Sequence, residues 1–256
     1  MSAFTTFEQP LNERIRTFMR VEQLYSRCIY YINKDSSFDS HSALATLLEL
    51  IGLASRGDLK RELMKEVKRQ LSNLEQLHNI PNLDQSKLTT LIDSHRDLVN
   101  QLDNLPGQLL GHLKDNDFVN SIKQRASIPG GTCDFDLPAY HYWLTQPMSN
   151  RKETIQTWLS PFEVVNNTVV HCLNLIRDSS EIETCVAAHG FYQRNLDQNQ
   201  PNQLIRVLVE NKDKCFPEIS AGKHRFSIRF LNQSSPDQYP KQVESDINFK
   251  ISCCAF

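Results

Sequence analysis

Arg16, Arg20 and Arg27 are spaced so that their guanidinium groups share roughly one face of a helix, with Arg14 farther round. A planar guanidinium holds a carboxylate through two parallel hydrogen bonds, so such a strip suits anion recognition. The plainer role is a solvated face paired with Glu13 and Glu22. A second cationic group comes late in the chain. Arg225 and Arg229 alternate with Phe226, Ile228 and Phe230, which sets both arginines on one face of a strand, about 13 Å apart. Lys223 and His224 extend the group. Its plain reading is a polar outer face, and its functional reading is a docking site for an acidic peptide or a partner subunit.

Cys133 and His141 are the residues from which an enzyme would be built. A Cys–His pair makes a thiolate nucleophile. The cysteine-protease signatures are absent, however, and the alternation around Cys133 predicts a buried strand residue. A zinc site from Cys133, His141 and the Cys253–Cys254 pair lacks metal-ligand spacing. Pro129-Gly130-Gly131 has no Gly-Lys-Ser/Thr ending, and GxGxxG, HExxH and GxSxG are missing. His141 itself follows a helix start, where it serves either as a donor to a partner or as a half-buried, hydrogen-bonded ring. The reading is a non-enzyme without cofactor or metal.

The chain has 256 residues and a net charge of −2, which argues against a general nucleic-acid binder. A nucleic-acid-binding protein using the Arg16/Arg20/Arg27 strip is the alternative, but it lacks interleaved exposed aromatics for base stacking. No signal peptide and no apolar run of spanning length is visible, so a soluble cytoplasmic protein is expected, without membrane contact. The seven cysteines are irregularly spaced, with no CxxC pair, as for reduced thiols used as small hydrophobes.

The elements that must position these residues change character along the chain. Ile15, Phe18, Val21, Leu24, Cys28 and Ile32 predict a helix over about 11–33, with Asn12 able to cap it. Further helices are expected over about 40–54, 58–78, 85–104, 108–115 and 117–125. Asp136-Leu137-Pro138 signals another helix start, with Asp136 as its cap. A long apolar stripe from Ile155 to Ile176 predicts a helix over about 149–178, kinked at Pro161. Its length suits a bundle core plus a dimer seam. From Glu181 the period becomes two: Leu204–Val209, Arg225–Phe230 and Ile247–Cys253 read as strands. Cys133, Phe135 and Leu137 alternate in the same way and are assigned to that sheet. The expected class is α+β, an N-terminal α-helical bundle with a C-terminal antiparallel, sandwich-like β-sheet domain. The bundle takes 1–125 plus 138–178, and the sheet takes 126–137 plus 179–256.

The run Ser127–Leu144, SIPGGTCDFDLPAYHYWL, resembles the SIPGG-x-C-x-FDLP-x-x-H-x-WL signature of the ZapD family. Phe7–Thr17 resembles that family's FE-x-PLNE-x-x-RT opening, and Arg56–Leu63 its RG-x-x-x-x-EL segment. Gly190–Gln193, Pro217–Ser220 and Arg225–Phe230 resemble its C-terminal pieces, so the likeness runs along the whole chain. The resemblance implies a Z-ring-associated division protein that binds the tubulin-like FtsZ and bundles its filaments. It also implies a homodimer, recognition of FtsZ's C-terminal peptide, and a place at mid-cell. Arg20, His141, Arg225 and Arg229 stand where the family has the same basic residues. Asp117 stands near a place where a basic residue can occur, and Lys114 is the replacement. The implied partner-binding set is therefore Arg16, Arg20, Lys114, His141, Lys223, Arg225 and Arg229.

Overall fold

The computed structural model describes residues 3–55, 58–79, 83–106, 113, 115–197, 200–222 and 224–256. The fold is α+β, as expected. It divides into two compact units: Thr17–Cys172, and the chain up to Arg16 together with Leu173–Phe256.

The first unit is helical. The chain enters it through α1 (Glu13–Ile32) and continues with α2 (Ser37–Ser55), α3 (Leu59–Gln76), α4 (Gln85–Asn104), α5 (Asp117–Arg125), α6 (Pro138–Leu144), α7 (Met148–Leu159) and α8 (Pro161–Arg177). Short polar side chains start several of these by accepting from otherwise unsatisfied N–H groups. Asn12 accepts from Ile15, Asp58 from Arg61, Asp84 from Lys87 and Asn116 from Val119, at 2.9–3.1 Å. The helix expected over 108–115 falls largely outside the described residues. The stripe expected as a dimer seam is used up within the chain: Ile155, Leu159, Phe162, Val165, Val169, Cys172, Leu173 and Ile176 are all buried. Ser160 and Pro161 divide it between two helices rather than kinking one.

The second unit is two antiparallel sheets. One has the order β1 (Phe4–Pro10), β4 (Asn202–Glu210), β8 (Ile247–Ala255), β2 (Glu183–Ala187). The other runs β3 (Phe191–Asn195), β6 (Arg225–Asn232), β5 (Phe216–Ala221), with the two-residue β7 (Lys241–Gln242) also paired to β6. Ile205, Val207 and Val209 from β4, Phe226, Ile228 and Phe230 from β6, and Ile247, Phe249 and Ile251 from β8 form one buried core. Period-two alternation thus puts the apolar face of each sheet against the other.

Two expectations are corrected. Cys133–Leu137 is not a strand, and the segment belongs to the helical unit. The first strand is instead β1, whose register from Phe4↔Glu210 to Pro10↔Leu204 carries the start of the chain into the sheet unit. Phe7 and Leu11 pack against the core. Glu8, on the opposite face of β1, accepts from Arg177 through Nε (3.0 Å) and Nη2 (2.9 Å) and from Arg206 Nε (3.0 Å). Arg206 Nη1 also donates to the Arg177 carbonyl (3.2 Å).

The three side chains are only 15–21% exposed, so each charge depends on the others. Glu8→Gln is expected to leave two largely buried guanidinium groups underpaired and to destabilise the sheet unit by about 3 kcal/mol, read as a lower urea midpoint. An unchanged midpoint would show that water replaces the carboxylate.

Candidate partner-binding surfaces

The segment between α5 and α6 is a series of turns. Ile128 N–H donates to Arg125 O, Gly131 to Ile128 O, Cys133 to Gly130 O, and both Asp136 and Leu137 to Cys133 O, at 2.9–3.1 Å. These local bonds satisfy the backbone without a neighbouring strand, which is why the alternation there misleads. Gly130 has φ +71°, and a Cβ on Gly131 would lie 2.6 Å from Arg125 O. Asp136 does not cap α6; it pairs with Arg125 at 3.3 Å, and Leu137 precedes the helix without a side-chain cap.

Beyond the loop, Tyr140 anchors α6. It is buried, stacks on Trp143 at 5.8 Å between centroids, and meets Phe118 edge-on at 6.1 Å. Its hydroxyl lies 2.8 Å from His41 Nδ1 of α2, and burial pushes its pKa up. The next residue, His141, therefore faces solvent, as does Tyr142. Cys133 and Phe135 are also exposed, Phe135 at 80%. The half-buried histidine and the buried cysteine of the plain readings are thus not found. Cys133 and His141 make no hydrogen bond with each other among the described residues.

The arginines of α1 differ in their surroundings. Arg16 pairs with Glu13 (2.6 Å), which is the plain reading. Arg27 donates to Glu49 (2.5 Å) and Thr46 (3.2 Å) and so ties α1 to α2. Arg20 is exposed. The strip is thus partly neutralised by its own carboxylates.

On β6 the expected alternation holds: Arg225 and Arg229 point outward and Phe226, Ile228 and Phe230 inward. Arg229 pairs with Glu218, directly opposite on β5. Arg225 faces Asn195 of β3 across the ladder, and its side chain makes no ion pair among the described residues. Phe191, 43% exposed, lies opposite Arg229 on the other side. Sequence reasoning placed Phe191 and Glu218 in family-like pieces but not beside Arg229, because neither β3 nor β5 carries a long apolar alternation. Lys114 and Lys223 lie outside the described residues.

Among the described residues no group of three or more His, Cys, Asp or Glu side chains is placed to hold a metal ion, and no helix is long and apolar enough to cross a membrane. Burial pushes the Cys28 thiol up to about 12 and raises Cys172, Cys253 and Cys254, away from thiolate chemistry.

Gly131→Ala is expected to destabilise the helical unit by more than Gly130→Ala. The latter costs about 1–2 kcal/mol for its left-handed backbone, whereas the former drives a methyl into a carbonyl oxygen. Denaturant midpoints of the two variants compare them, and equal shifts would refute the close approach.

The family model for ZapD, described as a cell division protein, matches residues 19–229. The chain is 36% identical over 249 residues to the cell division protein ZapD of Nitrosomonas eutropha, covering 97% of this chain and 98% of that protein. It is 37% identical over 251 residues to that of Chromobacterium violaceum, covering 98% and 99%. It is also 37% identical over 250 residues to that of Coxiella burnetii, covering 97% of each. With matches running nearly end to end, the chain belongs to the ZapD family of cell division proteins.

Proposed function

We propose that this protein binds the C-terminal tail of FtsZ and, as a homodimer, cross-links FtsZ filaments in the cytoplasm at the division site. The near-full-length similarity to ZapD proteins carries the reading. The surfaces described above are compatible with it: His141 is displayed on a short helix held by Tyr140, and Arg225 stands exposed on β6 with no ion pair among the described residues. Both suit charge-assisted bonds to an acidic peptide. A dimer supplies the valency. One tail site decorates a filament, while two sites on one particle join two filaments and raise the effective concentration of the second contact.

Asp117 stands near a place where, by the resemblance, a basic residue can occur. Here it occupies the exposed first turn of α5, where a carboxylate suits the helix dipole.

Co-sedimentation with polymerised FtsZ tests the reading. The wild type is expected to pellet with full-length filaments and hardly at all with tailless ones. Equal pelleting would exclude tail recognition. Arg225→Glu, His141→Ala and Arg20→Glu are each expected to weaken binding roughly ten-fold with unchanged circular dichroism, as for a lost charge-assisted contact. Wild-type binding by all three would remove these side chains from the mechanism. Light scattering is expected to give twice the 29.6 kDa chain mass, and a monomer at working concentration would count against cross-linking.

A further inference from the structure

The face of the β3–β6–β5 sheet turned away from the core carries more than its two arginines. Arg229 has unlike neighbours on its two sides. On β5, directly opposite, Glu218 pairs with it, and both side chains are about half exposed. On β3, also directly opposite, stands the ring of Phe191, 43% exposed. Two residues along β6, Leu231 faces the same way and lies opposite Phe216, and both are half-buried. Opposed Cβ atoms in an antiparallel pair are about 5 Å apart and diagonal ones about 7–8 Å. Phe191, Leu231 and Phe216 therefore form an apolar shelf adjoining one cation.

In the other direction the face is low and then cationic again. Ser227 pairs in register with Ser220, two short side chains that leave room for a peptide backbone above β6. Arg225 follows, exposed and with no ion pair among the described residues. The step from Arg229 to Arg225 is about 13 Å, which is the same-side repeat of four residues in an extended segment. Glu218 is the only acid among the described residues of these three strands that face this way. Two cations against one acid make the face complementary to an acidic segment, and the shelf adds a place for an apolar side chain.

Resting on the tail-binding reading above, we propose that this face seats the FtsZ tail as an extended segment, with one apolar side chain on the Phe191 shelf and a neighbouring carboxylate replacing Glu218 on Arg229. Glu218 is then an internal competitor, and Phe191 is the residue that separates an apolar and acidic segment from one that is merely acidic. The exchange at Arg229 breaks one exposed ion pair as it makes another, so it adds little affinity by itself. The gain comes from covering the shelf and from the new contact at Arg225.

The test measures binding of a fluorescent peptide of the FtsZ C-terminal tail to the full chain, by anisotropy and calorimetry. Glu218→Gln is expected to tighten binding by up to about five-fold, the range of an exposed pair. That gain should vanish in an Arg229→Gln background, because the competitor acts through Arg229. A gain that persists there is a bulk charge effect and overturns the competition. Phe191→Thr, a residue that suits a strand, should weaken binding on the order of ten-fold and make the heat-capacity change of binding less negative. Phe191→Leu should keep most of both, and wild-type urea midpoints show that the variants fold. Wild-type affinity in both Phe191→Thr and Glu218→Gln overturns the seat while leaving tail recognition standing. No binding of the peptide by the wild type overturns tail recognition, and the seat with it.

Discussion

The Glu8–Arg177–Arg206 group is the constraint on which the sheet unit depends. The chain leaves this unit through β1 and α1 and re-enters through the end of α8. Both passages are fastened at one carboxylate, since Glu8 lies on the departing strand and Arg177 on the returning helix, while Arg206 lies on β4 between them in register. One carboxylate thus meets two guanidinium groups in a largely buried place. Further donors are used as well: Arg206 Nη1 donates to the Arg177 carbonyl, and Arg177 Nη1 lies 3.5 Å from Asn174 Oδ1.

The opening motif FEQPLNER is explained by the same arrangement. Phe7 and Leu11 enter the core, Glu8 closes the ionic group, Asn12 caps α1, and Glu13 pairs with Arg16. Phe7, Glu8, Leu11, Asn12 and Glu13 each have a structural task, which is a physical reason for so polar and irregular a stretch. The signature between α5 and α6 works differently. Its glycines and local turns make a loop that leaves Cys133, Phe135, His141 and Tyr142 in solvent, while Leu137 and Tyr140 anchor it inside.

The candidate cations separate into those the fold consumes and those it displays. Arg27 holds elements together, and Arg16 and Arg229 have carboxylates of their own chain beside them. Arg225, by contrast, makes no ion pair among the described residues. Exposed pairs such as Arg16–Glu13 and Arg229–Glu218 are worth about 0–1 kcal/mol, so these carboxylates hold their arginines lightly.

Local periodicity alone determined the α+β class, the helices capped by Asn12, Asp58, Asp84 and Asn116, and the outward face of β6, because each depends on neighbours a few residues away. The ordered run of motifs likewise determined the family. Tertiary structure decided the rest. Cys133–Leu137 alternates like a strand, but its backbone bonds close on themselves and no strand among the described residues pairs with it. Phe4–Pro10 shows no clean alternation and yet is a strand, because β4, some 200 residues later, offers its edge. The stripe from Ile155 to Ile176 has the same spacing whether it meets another helix of its own chain or a second subunit. Only folding showed it buried at home. In each case a residue's own type sets what it can bond to, and the arrival of distant segments sets what it does bond to.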